Sequence, residues 1–482
     1  MRPTNAHERL LVCRRKLYLA SLKATVRGFS QTTNGRILAA ASTVGVMTML
    51  VRLTSLFKDI TVAHRFGTGD ALDAFYVAML VPTFFVGIVG ESFRTALVPV
   101  YVELRDLEGQ KAAERLLSGV ALCTLVGLFA IALLPLLFRS GLMALLASGF
   151  GPQKRRTTEF LLLPLLVLLP IWGVTGLLRA ALTAHDCFAV SSLAPIMNPA
   201  LILLMVVTFS SHWEIYALVA GTLLGALGDL IICGHALWRC GVSLWPQWHG
   251  IDPPLRRVLA QCAPMAAGAL LMGSTTIVDQ SMATVLGTGS VAALNYANKI
   301  LTIPLMVGVY SMSVAIFPSF SQLSAKRDWA EMRHMLSNYC RVILLLSVPL
   351  TLALVEFSEP LVRVMFQGGV FTREDVHLVA QVQALLCLQL PFYAVGILYV
   401  RAISAIKRNQ ILMWGTMISV VANTSLNVVF MRIMGLPGIA LSTSVVYLIS
   451  CCYLRFMLLR ALSQHEGEEI GISYAITPDS AT

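Results

Sequence analysis

Apolar runs long enough to cross a bilayer, about 18 residues or more, recur along nearly the whole chain. No other feature narrows the possible folds as much. Inside hydrocarbon every backbone N–H and C=O must find its partner within the protein, and a helix does this within its own segment. Composition agrees: 57% of the 482 residues are hydrophobic, 13% are charged, and the mean hydropathy is +0.75. So small a polar share cannot cover a soluble globule. The runs place spans at 37–62, 71–93, 117–138, 158–183, 188–209, 216–238, 258–285, 290–317, 341–356, 379–403, 411–431 and 435–459. The expected fold is an all-α polytopic membrane protein of about twelve transmembrane helices. Pro82, Pro264, Pro304 and Pro391 fall inside spans and predict kinks.

The net charge of +11 would suggest nucleic acid on a soluble protein. Here no nucleic-acid motif accompanies it, and the placement of the charge explains it better. Residues 1–36 carry eight Lys or Arg with no short apolar core and small-residue cleavage site behind them. They read as a basic cytoplasmic tail, its Lys16–Arg27 stretch suited to anionic lipid. With that tail inside, the even-numbered connections hold most of the remaining Lys and Arg, so both termini are expected in the cytoplasm, 463–482 forming the second tail. Lys154, Arg155 and Arg156 break the pattern and fall on the opposite side.

The chain also repeats itself. "DITVAHRFGTGDALDAFY" from Asp59 aligns without gaps with "DQSMATVLGTGSVAALNY" from Asp279, at an offset of 220. Asp59 meets Asp279, Gly67-Thr68-Gly69 meets Gly287-Thr288-Gly289, and Tyr76 meets Tyr296. Six spans separate the copies, so both run the same way. That is a parallel repeat about an axis along the membrane normal. It predicts two six-helix lobes, 37–247 and 248–462, with a cavity between them and a tight Gly-Thr-Gly turn in each.

Charges inside spans cost about 3 kcal/mol each at a helix centre, so they persist only where paired, snorkelling or facing water. The spans hold Arg52, Lys58, Asp59, Asp73 and Glu91 in the first lobe, and Asp279 and Lys299 in the second. Arg52 and Asp59 are seven apart and share a helical face, with Lys58 beside it. A wet cleft lined by Arg52, Lys58 and Lys299 suits a ligand that carries phosphates. Asp59, Asp73, Glu91 and Asp279 would hold those cations when the ligand is absent, or exchange a coupling ion or proton. The alternative is a static lattice of ion pairs that only joins helices.

Chemistry of other kinds finds no residues. There is no G-x-x-x-x-G-K-[ST] loop and no H-E-x-x-H, so no catalytic residue, metal ligand or cofactor is assigned and no enzyme is expected. Ten cysteines, among them Cys123, Cys233, Cys387, Cys451 and Cys452, sit mostly in apolar segments without a paired C-x-x-C and read as small hydrophobes.

Three stretches carry a resemblance to the MurJ (MviN) lipid II flippase family of the multidrug/oligosaccharidyl-lipid/polysaccharide exporter superfamily. They are the segment from Val51 to Tyr101, "GSVAALNYANKILTIPLMV" from Gly289, and "LVRVMFQGGVFTREDV" around Phe366, Gly369, Phe371 and Thr372. The resemblance covers roughly 37–460. It implies a protein of the bacterial inner membrane that moves a polyprenyl-diphosphate-linked glycan from the cytoplasmic to the periplasmic leaflet by alternating access, for peptidoglycan synthesis. Arg52 matches a cavity arginine of that family. Lys58 and Lys299 stand at basic positions, and Asp73 and Glu91 at acidic ones. Partners are then the lipid-linked glycan, membrane lipids and a coupling ion or proton. The chain departs from the family at Val86-Gly87, where an arginine pair is usual, at Asn298, where an acid is usual, and in having twelve spans against fourteen. These departures leave room for an exopolysaccharide or O-antigen unit as cargo. A drug or cation antiporter of the same superfamily would instead need a cavity dominated by acids.

Overall fold

The computed structural model describes residues 33–185, 187–242, 247–305 and 311–476. The basic tail before Thr33 and the end of the chain beyond residue 476 lie outside the described residues, as does the side chain of Glu91 within its helix. The described residues are almost wholly helical, with no strand beyond an isolated bridge between Gly368 and Phe371.

In the first half of the chain α1 spans Thr33–Phe66 and α2 Asp70–Phe85, which passes through a π turn at Val86–Gly90 into α3, Glu91–Glu108. Then follow α4 (Gln110–Leu137), the short α5 (Arg139–Leu146), α6 (Pro152–Leu165), α7 (Leu168–Ala184), α8 (Phe188–Leu193), α9 (Met197–Trp213) and α10 (Ile215–Arg239). The second half repeats the order. Its elements are α11 (Pro253–Ala283), α12 (Ser290–Pro304), α13 (Ser311–Lys326), α14 (Trp329–Glu356), the short α15 (Ser358–Phe366), α16 (Arg373–Cys387), α17 (Leu390–Ala405), α18 (Asn409–Met434) and α19 (Leu436–Ile476). Among the described residues, each of the twelve expected spans falls on a helix or a pair of consecutive helices. Among the described residues, ten helical segments are long and apolar enough to cross a membrane.

The repeat seen in one stretch of sequence runs through the whole architecture. Even the short helices α5 and α15, which hydropathy does not announce, begin about 220 residues apart. The prolines at 82, 264 and 304 lie inside helices, where neighbouring segments can satisfy the freed carbonyls, whereas Pro391 sits in the first turn of α17 and starts it.

Three apolar cores show how the two lobes meet. The largest draws side chains from both: Leu72, Phe75 and Leu165 from the first, Tyr296, Phe366 and Phe371 from the second. It lies at the end of the bundle that carries the Gly-Thr-Gly turns, called the turn end below. Toward the opposite end, where α1 begins, the core divides. One cluster joins the first lobe with the start of α11, around Leu97, Leu177 and Leu255. The other belongs to the second lobe, around Phe320, Met332 and Leu458. The lobes are therefore welded at the turn end, while at the other end the start of α11 packs on the first lobe, with Arg257 paired to Glu103 (3.0 Å), and the rest of the second lobe keeps a core of its own.

Two glycines make the weld possible, and they are related by the repeat. A Cβ on Gly149 would collide with the carbonyl of Thr284, and one on Gly369 would collide with the carbonyl of His64. Both pairs are 220 apart in partner as well as in glycine, so this is one contact made twice about the pseudo-axis. The Val370 amide donates to the His64 carbonyl (3.0 Å), and the Gly149 amide reaches the Thr284 hydroxyl (3.4 Å). Gly369 also has φ +56°, in the left-handed region that favours glycine. Gly369→Ala should lower the thermal unfolding midpoint in detergent, at a cost of about 1–3 kcal/mol. Gly149→Ala should also lower it, through the clash alone. Gly127→Ala, whose Cβ meets open space, should leave the midpoint unchanged or raise it.

Candidate functional site: a charged seam between the lobes

Across the seam between the lobes the structure brings Lys58, Asp59 and Lys299 together. Asp59 on α1 accepts from Lys58 (2.9 Å) and from Lys299 of the other lobe (2.7 Å). Lys299 on α12 also donates to the Tyr76 hydroxyl (2.9 Å), and its ammonium lies over the rings of Tyr76 and Tyr296, 5.4 and 5.0 Å from their centroids. Rings there offer their negative faces to a cation with little water around it. One carboxylate thus serves two ammonium groups. Arg52, two turns from Asp59 on the same helix, is exposed and makes no ion pair among the described residues. The seam therefore keeps surplus positive charge. The expected cation-lined cleft is modified in one respect: Lys58 and Lys299 are not free lining groups but share Asp59.

Asp73 lies elsewhere, fully buried at the turn end. Its two oxygens accept from the Gly289 amide (2.7 Å) and the Ala292 amide (2.8 Å), at the start of α12 in the other lobe. A carboxylate at a helix N-terminus meets unpaired amides and the positive end of the dipole. Lys154 bridges Asp73 and Asp70, at 2.7 Å to each. Asp70 in turn accepts from the Thr288 hydroxyl (2.9 Å), Tyr296 reaches the Gly67 carbonyl (3.3 Å), and Thr68 donates to Asp375. The basic cluster that broke the charge pattern is thereby accounted for in part. Lys154 neutralises the acids of the clamp, while Arg155 pairs with Glu159 and donates to the Ser140 carbonyl.

Asp279 is separate again. It sits on α11 within the second lobe, accepting from Asn427 (2.7 Å) and Asn423 (3.0 Å) on α18 and from Thr443 (3.3 Å) on α19. No cation reaches it among the described residues. At the same 220-residue offset the first lobe has Leu203, Val207 and Leu223, so this polar nest exists once. Charge counting missed Asn423 and Asn427; two amides four residues apart in an otherwise apolar run were the available signal.

A further cavity of about 650 Å³ opens in the first lobe beside the π turn. Arg94, Trp172 and Arg179 line it, and Arg179 pairs with the buried Asp229. Gly87 and Gly176 face open space there. π turns of this kind often mark functional sites.

Two lobes related by a parallel repeat, welded at one end around a positively charged seam, define a membrane transporter of the two-lobed exporter class. The chain belongs to the lipid II flippase MurJ family, whose profile matches residues 62–477. It is similar to the probable lipid II flippase MurJ of Vibrio cholerae serotype O1, at 26% identity over 437 residues, 86% of this chain and 82% of that one. Its fold is similar to that of a solved lipid II flippase MurJ in an inward closed conformation, with TM-score 0.74 and 22% identity over 91% of this chain and 93% of that one. It also matches an inward-facing multidrug resistance MATE family transporter of the MOP superfamily, with TM-score 0.71 and 12% identity over 88% and 99%. The chain is accordingly a multi-pass inner-membrane protein of a flippase family.

Removing the shared carboxylate leaves two ammonium groups in the seam without their anion. Asp59→Asn should cost about 3 kcal/mol of stability. Adding Lys299→Met should return part of that loss, so a double-mutant cycle by thermal unfolding gives a coupling well above error. Additive effects would contradict the shared pair.

Proposed function

We propose that this chain moves lipid II, a polyprenyl-diphosphate-linked glycan, from the cytoplasmic to the periplasmic leaflet by alternating access, as a transporter without enzymatic activity. The observation that carries this reading is the surplus positive charge of the seam, with Asp59 shared by Lys58 and Lys299 and Arg52 unpaired. A diphosphate supplies the missing anions. Arginine offers phosphate oxygens a planar fork and lysine a point charge. An antiporter of drugs or cations shares the fold but would be served by acids, and this seam is short of them.

The excess of basic side chains in the tail and even-numbered connections supports an orientation with the first helix's start in the cytoplasm and the turn end in the periplasm. In that orientation the two lobes, with boundaries near 37–247 and 248–462, are shut toward the periplasm by the glycine contacts and the Asp73 clamp. The headgroup enters from the cytoplasmic end while the polyprenyl tail stays in lipid. It competes with Asp59 for Lys299 and so loosens a tie between the lobes. Opening the turn end then requires Asp73 to leave the α12 amides, with Lys154 limiting the cost of the exposed carboxylate. We assign Asp279 to coupling, because a buried carboxylate ringed by amides and a hydroxyl can exchange an ion or proton without disturbing the cation seam. Glu91 remains a candidate cavity acid on sequence grounds.

Complementation tests the cargo. In a bacterium depleted of its own lipid II flippase, this chain should restore growth. Lys299→Met and Arg52→Met should abolish rescue at unchanged membrane abundance, and Lys299→Arg should retain it. Loss of rescue by the wild-type chain, despite full expression, would instead favour the exopolysaccharide or O-antigen unit.

A further inference from the structure

A groove of about 500 Å³ lies between α14, α17 and α19 in the second lobe, remote from the charged seam. Its walls are apolar, with Phe392, Leu344 and Leu448 among them, and three guanidinium groups sit along it: Arg333, Arg341 and Arg455. None of its described lining residues is acidic. Arg341 and Arg455 are exposed and make no hydrogen bond or ion pair among the described residues, while Arg333 donates to Ser463 (2.9 Å). Spacing explains the arrangement. Arg333, Ser337 and Arg341 follow one another at four-residue steps and so form a stripe along α14. Arg341 lies about 12 Å deeper along the helix axis than Arg333.

Unneutralised guanidinium groups facing lipid are costly, so an anion that is itself part of the lipid is the economical partner. The groove lies in the half of the bundle opposite the turn end. There α14 begins, α17 ends, and Arg455 stands about 28 Å along α19 from its start near the turns. The geometry points to a site for an anionic glycerophospholipid, its phosphate held by Arg341 and Arg455 and its acyl chains laid against Phe392, Leu344 and Leu448. Basic pockets between transmembrane helices recognise anionic headgroups in this way. The site is independent of the transport reading: a phospholipid bound on the outside of the second lobe is not the cargo of the seam. Its consequence for the protein is anchorage of α14 and α19, two helices whose outward faces are otherwise held only by bulk lipid.

Native mass spectrometry of the purified full-length chain tests this with two probes, dioleoylphosphatidylglycerol and dioleoylphosphatidylcholine. Phosphatidylglycerol should be retained in preference to phosphatidylcholine. Arg341→Gln combined with Arg455→Gln should weaken it about twenty-five-fold, from two lost charges of about fivefold each. Arg341→Lys with Arg455→Lys should keep most of the preference, which separates charge from folding. Equal retention of the two lipids, or an unchanged preference in the glutamine variant, would overturn the assignment. So would tighter retention of undecaprenyl diphosphate than of phosphatidylglycerol at the same residues, which would make the groove a cargo site.

Discussion

In hydrocarbon a charged side chain must find its counter-charge within the protein or carry a permanent penalty, and in this chain the demand is met across the seam between the lobes. Asp59 of the first lobe is the only described carboxylate that reaches Lys299 of the second. It also serves Lys58. A fully neutralised seam would be a rivet and would hold the lobes in one arrangement. One carboxylate for two lysines, with Arg52 beside them, is different. In the function proposed above, it holds the empty protein together and still favours the arrival of a diphosphate. A static ion-pair lattice would balance its charges, so the excess supports a visiting anion over that alternative.

The closure of one end depends on smaller forces used twice. The Gly149 and Gly369 loops each press against the opposite lobe where no Cβ could fit, and the two contacts are related by the repeat. Asp73 adds a third tie that the symmetry does not duplicate, because the residue 220 positions on is Ala293. Such ties are individually weak and reversible, which suits a gate. The charged seam is equally asymmetric: Met272 and Val278 stand at the repeat positions of Arg52 and Lys58, and Met79 at that of Lys299. Backbone architecture is duplicated, and so are the acid at Asp59 and Asp279 and the tyrosine at Tyr76 and Tyr296, whereas the cations stand in single copies upon it.

Much of this was legible in the sequence because hydropathy and repetition act over long windows. The spans, the 220-residue offset and the Gly-Thr-Gly turns were all there. Legibility failed where polarity interrupts a helix. The span expected at 341–356 belongs to a helix that starts at Trp329, because Glu331, Arg333 and His334 hide its first turns from a hydropathy count. The short helices α5 and α15 were too brief to register. At the site, the charged residues were visible but their grouping was not. Nothing local distinguishes Asp59, which meets a lysine 240 residues away, from Asp73, which caps a helix of the other lobe, or from Asp279, which meets only amides and a hydroxyl. Lys154 looked like an error of topology until Asp70 and Asp73 supplied its reason.

In the proposed cycle, cargo crosses only if the turn end opens. Asp70 and Thr288, whose side chains meet at 2.9 Å across that end, provide the direct measurement. With the ten native cysteines replaced, Asp70→Cys and Thr288→Cys should form a disulfide that stops translocation of a fluorescent lipid II across proteoliposomes, and a reductant should restore it. Translocation at the wild-type rate with that disulfide intact would contradict the account.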